Sequence, residues 1–194
     1  MKRICLLLMM SLTALTGYAE SSALIKANNT SIRTDIFEEF TNGGLLPPGF
    51  ADLRVTATLK THKPGIYSAK DIHGTTNYKL LLNVDGQAVK LRGSLQKENS
   101  EPRGLVDPEA GDGIRYRFSK SLRLRAGIHR IVVSLPDDGI AVEREMTLVE
   151  GDVNNLALEP IYSTTAGGGA GAYSTTSFKE GIRGIRLTLN GHNI

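Results

Sequence analysis

The sequence predicts an all-β chain: a β-sandwich over residues 53–162, a Gly/Ser/Thr-rich linker over 163–177, and a C-terminal strand over 178–194 expected to join the same domain, with addition to the sheet edge of another chain as the alternative. Three observations predict this. Short apolar segments alternating with period two recur from Leu53 to Leu189. Turn-forming clusters of Asp, Gly and Pro separate them. No long stretch carries the 3.6-residue apolar period of a core helix.

The elements follow in order. Residues 1–19 join a basic start, Lys2-Arg3, to an apolar run from Ile4 to Leu15 and then to Gly17 and Ala19. This is the pattern of a secretory signal peptide cut after Ala19. The run is shorter than the ~20 residues a bilayer requires, and no second long apolar run follows, so no transmembrane span is expected. The expected location is periplasmic or extracellular. Residues 20–52 read as a polar N-terminal lead-in, with 34–40 a short helix or a turn. Asn42-Gly43-Gly44 and Pro47-Pro48-Gly49 break any regular element.

Leu53-Arg54-Val55-Thr56-Ala57-Thr58-Leu59 begins the strand-like part, and a turn-rich loop follows from Thr61 to Thr76. Tyr78, Leu80, Leu82 and Val84 then share one face ahead of Asp85-Gly86, the preferred pair for a two-residue type I′ turn. That turn sets Val84 opposite Gln87, Leu82 opposite Val89 and Leu80 opposite Leu91. A one-residue slip would put the apolar residues on the wrong face. Residues 96–113 read as loop, and two strands are expected at 114–118 and 122–125. A second hairpin runs from Ile128 to Val149 about Pro136-Asp137-Asp138-Gly139. It sets Leu135 opposite Ile140, Val133 opposite Val142 and His129 opposite Met146. A strand over Asn154–Pro160 and a last one over Ile182–Leu189 complete the set. Tyr-Ser-Thr-Thr occurs at 162 and again at 173, flanking a run of Ala and Gly that has little side chain to bury. About eight strands joined by short turns suit an immunoglobulin-like sandwich. Trp is absent and the only cysteine is Cys5, so neither the disulfide nor the tryptophan of a true immunoglobulin domain is available.

Parts of residues 78–160 resemble the PEGA family of small envelope β-domains. The likeness lies in Val84-Asp85-Gly86, in Leu124-Arg125-Ala126-Gly127-Ile128-His129 running into Ile131-Val132-Val133, and in Leu148-Val149-Glu150-Gly151 ahead of Leu156-Ala157-Leu158. The motif that names the family is missing; Asp107-Pro108-Glu109-Ala110-Gly111 holds related residues in another order. The resemblance implies a PEGA-like sandwich that binds or builds, with no chemistry of its own.

Composition narrows the function classes. Without Lys2 and Arg3 the formal charge falls from +3 to about +1, which gives a nucleic-acid role no support. No thiol follows the leader. Neither a Gly-x-Ser-x-Gly elbow nor metal-ligand spacing among His62, His73, His129 and His192 is present. The expectation is therefore no enzyme, no cofactor, no catalytic residue and no metal ligand. His129 reads as a half-buried histidine bonded to backbone. Asp107, Glu109 and Asp112 share one loop but miss the calcium-hand pattern, since Phe118 occupies its twelfth position.

One charge feature stands out. Residues 114–136 hold Arg115, Arg117, Lys120, Arg123, Arg125 and Arg130 with no acidic residue. Arg115 and Arg117 on one strand, paired with Arg123 and Arg125 on the next, would build a basic face. With Arg130 these arginines form the candidate anion site, since guanidinium forks suit phosphate and carboxylate. Two functions follow as expectations. The chain is a structural or interaction module holding another envelope protein, or it binds an anionic glycan or lipid headgroup through the arginines.

Overall fold

The computed structural model describes residues 21–41, 44–104, 107–165 and 175–194. The expected leader over 1–19 lies outside the described residues, as do Asn42, Gly43 and residues 166–174 of the expected linker. Among the described residues, no helix is long and apolar enough to cross a membrane.

The chain folds as a β-sandwich. Its strands are β1 (Phe37–Glu39), β2 (Phe50–Thr61), β3 (Leu80–Val84), β4 (Gln87–Leu91), β5 (Ser94–Ser100), β6 (Gly111–Arg125), β7 (Gly127–Leu135), β8 (Ile140–Leu148), β9 (Val153–Tyr162), β10 (Thr164–Thr165), β11 (Thr175–Thr176), β12 (Ile182–Leu189) and β13 (His192–Asn193). One sheet runs β1-β6-β2-β9-β12-β13, with β5 also on β6; the other runs β4-β3-β7-β8. All pairs are antiparallel except β2 with β9. The inward rows meet in one core that includes Leu53, Val55, Tyr116, Phe118, Leu122 and Leu156 of the first sheet and Leu80, Leu82, Ile131, Val133 and Leu148 of the second. The chain passes from β6 of the first sheet to β7 of the second at Ala126-Gly127, where Gly127 has φ 135°, a value that disfavours a side chain.

Both hairpins take the expected register. Val84, Leu82 and Leu80 face Gln87, Val89 and Leu91, and Asp85 and Gly86 carry the positive φ of 47° and 92° that a type I′ turn needs. Leu135, Val133 and His129 face Ile140, Val142 and Met146. The strand over 182–189 returns to its own domain, antiparallel to β9, with Leu187 opposite Leu158.

The differences are equally specific. Residues 20–52 are more than a lead-in. A helix spans 21–28, Asn28 is buried and donates to Ser134 Oγ at 2.8 Å, and β1 joins the first sheet with Phe37 in the core. The middle of the 34–40 segment, Phe37–Glu39, is thus a strand, and Gln87 Oε1 holds its start by accepting from the backbone of Ile36 and Phe37. β2 opens at Phe50, three residues before Leu53. Residues 94–100, read mostly as loop, form β5. Its polar Gln-Lys-Glu-Asn run suits an edge strand, where charge discourages pairing with other chains. The two strands expected at 114–118 and 122–125 are one fifteen-residue strand. Thr164 and Thr165 pair with Thr176 and Thr175, closing the base of the expected linker.

Candidate functional site

The arginines occupy one row rather than two facing strands. Arg115, Arg117, Arg123 and Arg125 alternate along the outer face of β6, at ~3.3 Å per residue. Arg115 and Arg125 are therefore roughly 33 Å apart, too far for one small anion. Arg130 lies on β7 in the opposite sheet and does not join them.

Most of these charges are already paired. Arg115 is held between Glu98 and Glu109, and the hydrogen bond it donates to Glu98 is the first cause of its raised pKa. Arg123 makes a two-armed contact with Asp52, at 2.8 and 3.0 Å, and Arg130 makes another with Glu143. Arg117 donates to Gln96 Oε1 at 2.7 Å. Arg125 lies over the Phe50 ring at 5.5 Å. Among the described residues these last two carry no carboxylate partner.

The acidic loop is likewise spoken for. Asp107 accepts from the backbone of Arg103 and Glu109, Glu109 binds Arg115 and accepts from Tyr162, and Asp112 binds Lys63. These carboxylates do not converge on one point. His129 spends both ring nitrogens on structure, one on Asp85 Oδ2 at 2.7 Å and one on the Arg125 carbonyl at 2.8 Å.

A different cluster forms where the 61–79 loop meets the β7–β8 turn. His62 Nε2 contacts Asp71 Oδ2. His73 Nδ1 lies 2.6 Å from Asp71 Oδ1 and His73 Nε2 lies 3.2 Å from Asp138 Oδ1. Ionised carboxylates only accept, so in this arrangement the imidazole nitrogens donate. Tyr78 donates to Asp138 Oδ2 at 2.5 Å. The hydrogen bond to Asp138 is the first cause that raises the His73 pKa to about 9, and Asp71 adds to it. Burial pushes the Asp71 carboxyl up, but the hydrogen bonds from both histidines outweigh it and hold it at about 2.

Local sequence explains the convergence. Gly74 has φ +74°, and a Cβ there would meet Pro64 Cδ at 2.6 Å and the His62 carbonyl at 2.9 Å. Only glycine lets the two ends of the loop close this tightly. Thr75 Oγ1 then caps the turn by donating to the Ile72 carbonyl at 2.7 Å, and Tyr116 anchors it from β6 by donating to the Thr75 carbonyl at 2.7 Å. On the other side, Tyr67 donates to the Lys179 carbonyl at 3.0 Å. The cluster borders a cleft of about 360 Å³ whose lining includes Lys60, His62, Tyr67, His73, Asp138 and Phe178.

Lys60 is fully buried beside this cleft. Its ammonium donates to Ser100 Oγ, the Glu109 carbonyl and the Gly111 carbonyl at 2.8, 2.8 and 2.6 Å, and it sits 4.9 Å from the centre of the Phe178 ring. All three donors are used. Desolvation lowers its pKa, while the charges of Glu98 and Glu109 oppose that fall.

Spacing missed the His62–Asp71–His73 group because ten residues of loop lie between the histidines, and no regular element sets that distance. The available signal was Asp71-x-His73 in a loop with Gly65, Pro64 and Gly74, opposite a lone His62.

The fold and its polar networks define a β-sandwich module built around one core. No protein-family model, no curated protein and no solved structure matches the chain.

Proposed function

We propose that the chain is an exported, non-enzymatic module of the cell envelope that works by holding another protein. The observation that carries this reading is an exposed apolar group at one end of the sandwich. Ile128 is 72% exposed and Val149 59%. Both lie on the β7–β8 side, with Gly127 paired to Leu148. Ile128 pairs with Thr147, two residues before Val149, so the two exposed side chains lie close together on the outer side of this hairpin, and neighbouring exposed apolar side chains suit a contact surface. The basic–apolar–small pattern of residues 1–19 supports export, and the PEGA resemblance supports a module without chemistry.

Binding of an anionic glycan or lipid headgroup is the second reading. It rests on Arg117 and Arg125, the outward arginines of β6 that lack a carboxylate partner among the described residues.

A photo-crosslinking residue at position 128 in the full chain, expressed in its own envelope, tests the first reading. It predicts one discrete protein adduct that is absent when the crosslinker sits at Glu159 on the opposite sheet, and that persists at about 0.5 M salt, where exposed charges are screened. Absence of an adduct at 128, or the same adduct at both positions, overturns the proposal. Salt-sensitive binding to anionic vesicles, lost in Arg117→Gln/Arg125→Gln, would favour the second reading.

A further inference from the structure

We propose that His62, Asp71 and His73 form a site for one divalent transition-metal ion of the zinc class. Three observations converge on it. One ligand atom from each residue lies within 4.8 Å of the other two, and the side chains are well buried, at 11%, 11% and 19% exposure. Two imidazole nitrogens and one carboxylate make a donor set that suits zinc, cobalt or nickel. Calcium and magnesium call for oxygen throughout.

The second observation is the outer layer. A ligating histidine ordinarily gives its other ring N–H to a carboxylate, which fixes the ring and strengthens the donor nitrogen. His73 has this arrangement: Nδ1 faces Asp71, while Nε2 faces Asp138 at 3.2 Å. Asp138 is itself held by the Tyr78 phenol. The carboxylate behind the ring therefore comes from the β7–β8 turn, and the position of that ring does not depend on the loop alone.

The third is the space in front. Metal bonds of about 2.0–2.1 Å at tetrahedral angles place ligand atoms roughly 3.3 Å apart. His73 Nδ1 and Asp71 Oδ1 are 2.6 Å apart, so separating them by less than about 1 Å admits the ion once the protons that His62 Nε2 and His73 Nδ1 hold toward Asp71 are released to solvent. The adjoining cleft of about 360 Å³ leaves room for a fourth ligand. Lys60, which lines the same cleft, does not compete, because its ammonium is spent on Ser100, Glu109 and Gly111.

The test uses the full chain, stripped with chelator and titrated with Zn²⁺ by calorimetry, with Co²⁺ as a spectroscopic probe. One ion should bind per chain and raise the melting temperature, and Co²⁺ should give the absorption of a nitrogen- and oxygen-ligated ion. The double variant His62→Ala/His73→Ala should bind at least ~100-fold more weakly, Asp138→Asn about 10- to 100-fold more weakly, and His192→Ala as the parent does. Absence of saturable binding, or binding unchanged in the double variant, overturns the site and leaves an ion-pair network. If the double variant does not fold, histidine-selective NMR of the parent chain decides. Zn²⁺ must then shift the His62 and His73 rings; shifts confined to His129 or His192 overturn the proposal.

Discussion

The phenol of Tyr78 donates to Asp138 Oδ2 at 2.5 Å, binding the residue just ahead of β3 to the turn between β7 and β8. The same carboxylate faces His73 through its other oxygen. One buried acid thus joins three segments of the second sheet and its loop. Tyr78 is 2% exposed, and burial, followed by the Asp138 charge, raises its pKa well above the usual value. It stays a neutral donor.

Tyr78→Phe removes this bond and leaves Asp138 short of a partner in a buried place. Hydrogen bonds to charged groups contribute about 1.5–3 kcal/mol. Urea denaturation should show a loss of that size with an unchanged slope. A loss below about 0.5 kcal/mol would mean that water replaces the phenol freely.

Lys60→Met tests the buried ammonium. The variant keeps the stem that packs by Phe178 but takes the ammonium donor from the Gly111 carbonyl, while Ser100 Oγ and the Glu109 carbonyl keep their bond to each other at 2.7 Å. An acceptor left unsatisfied in the interior costs about 1–3 kcal/mol. Thermal melting should fall clearly, and amide exchange should quicken first around Ser100, Glu109 and Gly111. Parental stability would show that the lysine's desolvation cancels its three bonds.

The Glu98–Arg115 pair predicts an acid response. Arg115 holds the Glu98 carboxyl at about 2, below its ordinary 4.5. The folded state therefore binds its proton less readily than the unfolded state does. The contribution of this pair is complete above about pH 4.5 and is lost as pH falls through 2. Glu98→Gln should flatten the stability profile in that window relative to the parent. An unchanged profile between pH 2 and 4.5 would remove the pair from the account of acid unfolding.

Truncation after Tyr162 tests how far the last strand belongs to the domain. It deletes Phe178, Ile182, Ile185 and Leu187, all core residues, and uncovers the edge of β9. Buried aliphatic and aromatic side chains contribute about 1.5–3 kcal/mol each. The truncated chain should lose several kcal/mol or fail to fold, and adding back the 175–194 peptide should restore part of the loss. A truncated chain that melts like the parent would place the strand's stabilising role outside this domain.

Two hairpins were legible residue by residue, because a two-residue turn and a period-two face determine register locally. The last strand was legible for the same reason: Ile185, Leu187 and Leu189 alternate with Arg186 and Thr188. β5 was not. Its stability lies in partners on β6, such as Arg115 for Glu98, and a polar edge strand carries no apolar period to read. β1 escaped for a related reason, since its backbone is held by the side chain of Gln87, fifty residues away.

The arginine row shows the same division. By itself the sequence determined that Arg115 and Arg117 share a face, and that Arg123 and Arg125 do, since alternation is a property of the strand. Only the tertiary structure decided that they stand along a single strand, that Arg130 lies on the other sheet, and that Asp52, Glu98, Glu109 and Glu143 neutralise three of the five. Likewise the sequence placed His62 and His73 at the two ends of a turn-rich loop. Their meeting on Asp71 required Gly74 to admit the close approach, and Asp138 came from a turn 65 residues further along the chain. Periodicity is written in neighbouring residues. Which charge meets which is set by the packing of the two sheets, and no local pattern encodes it.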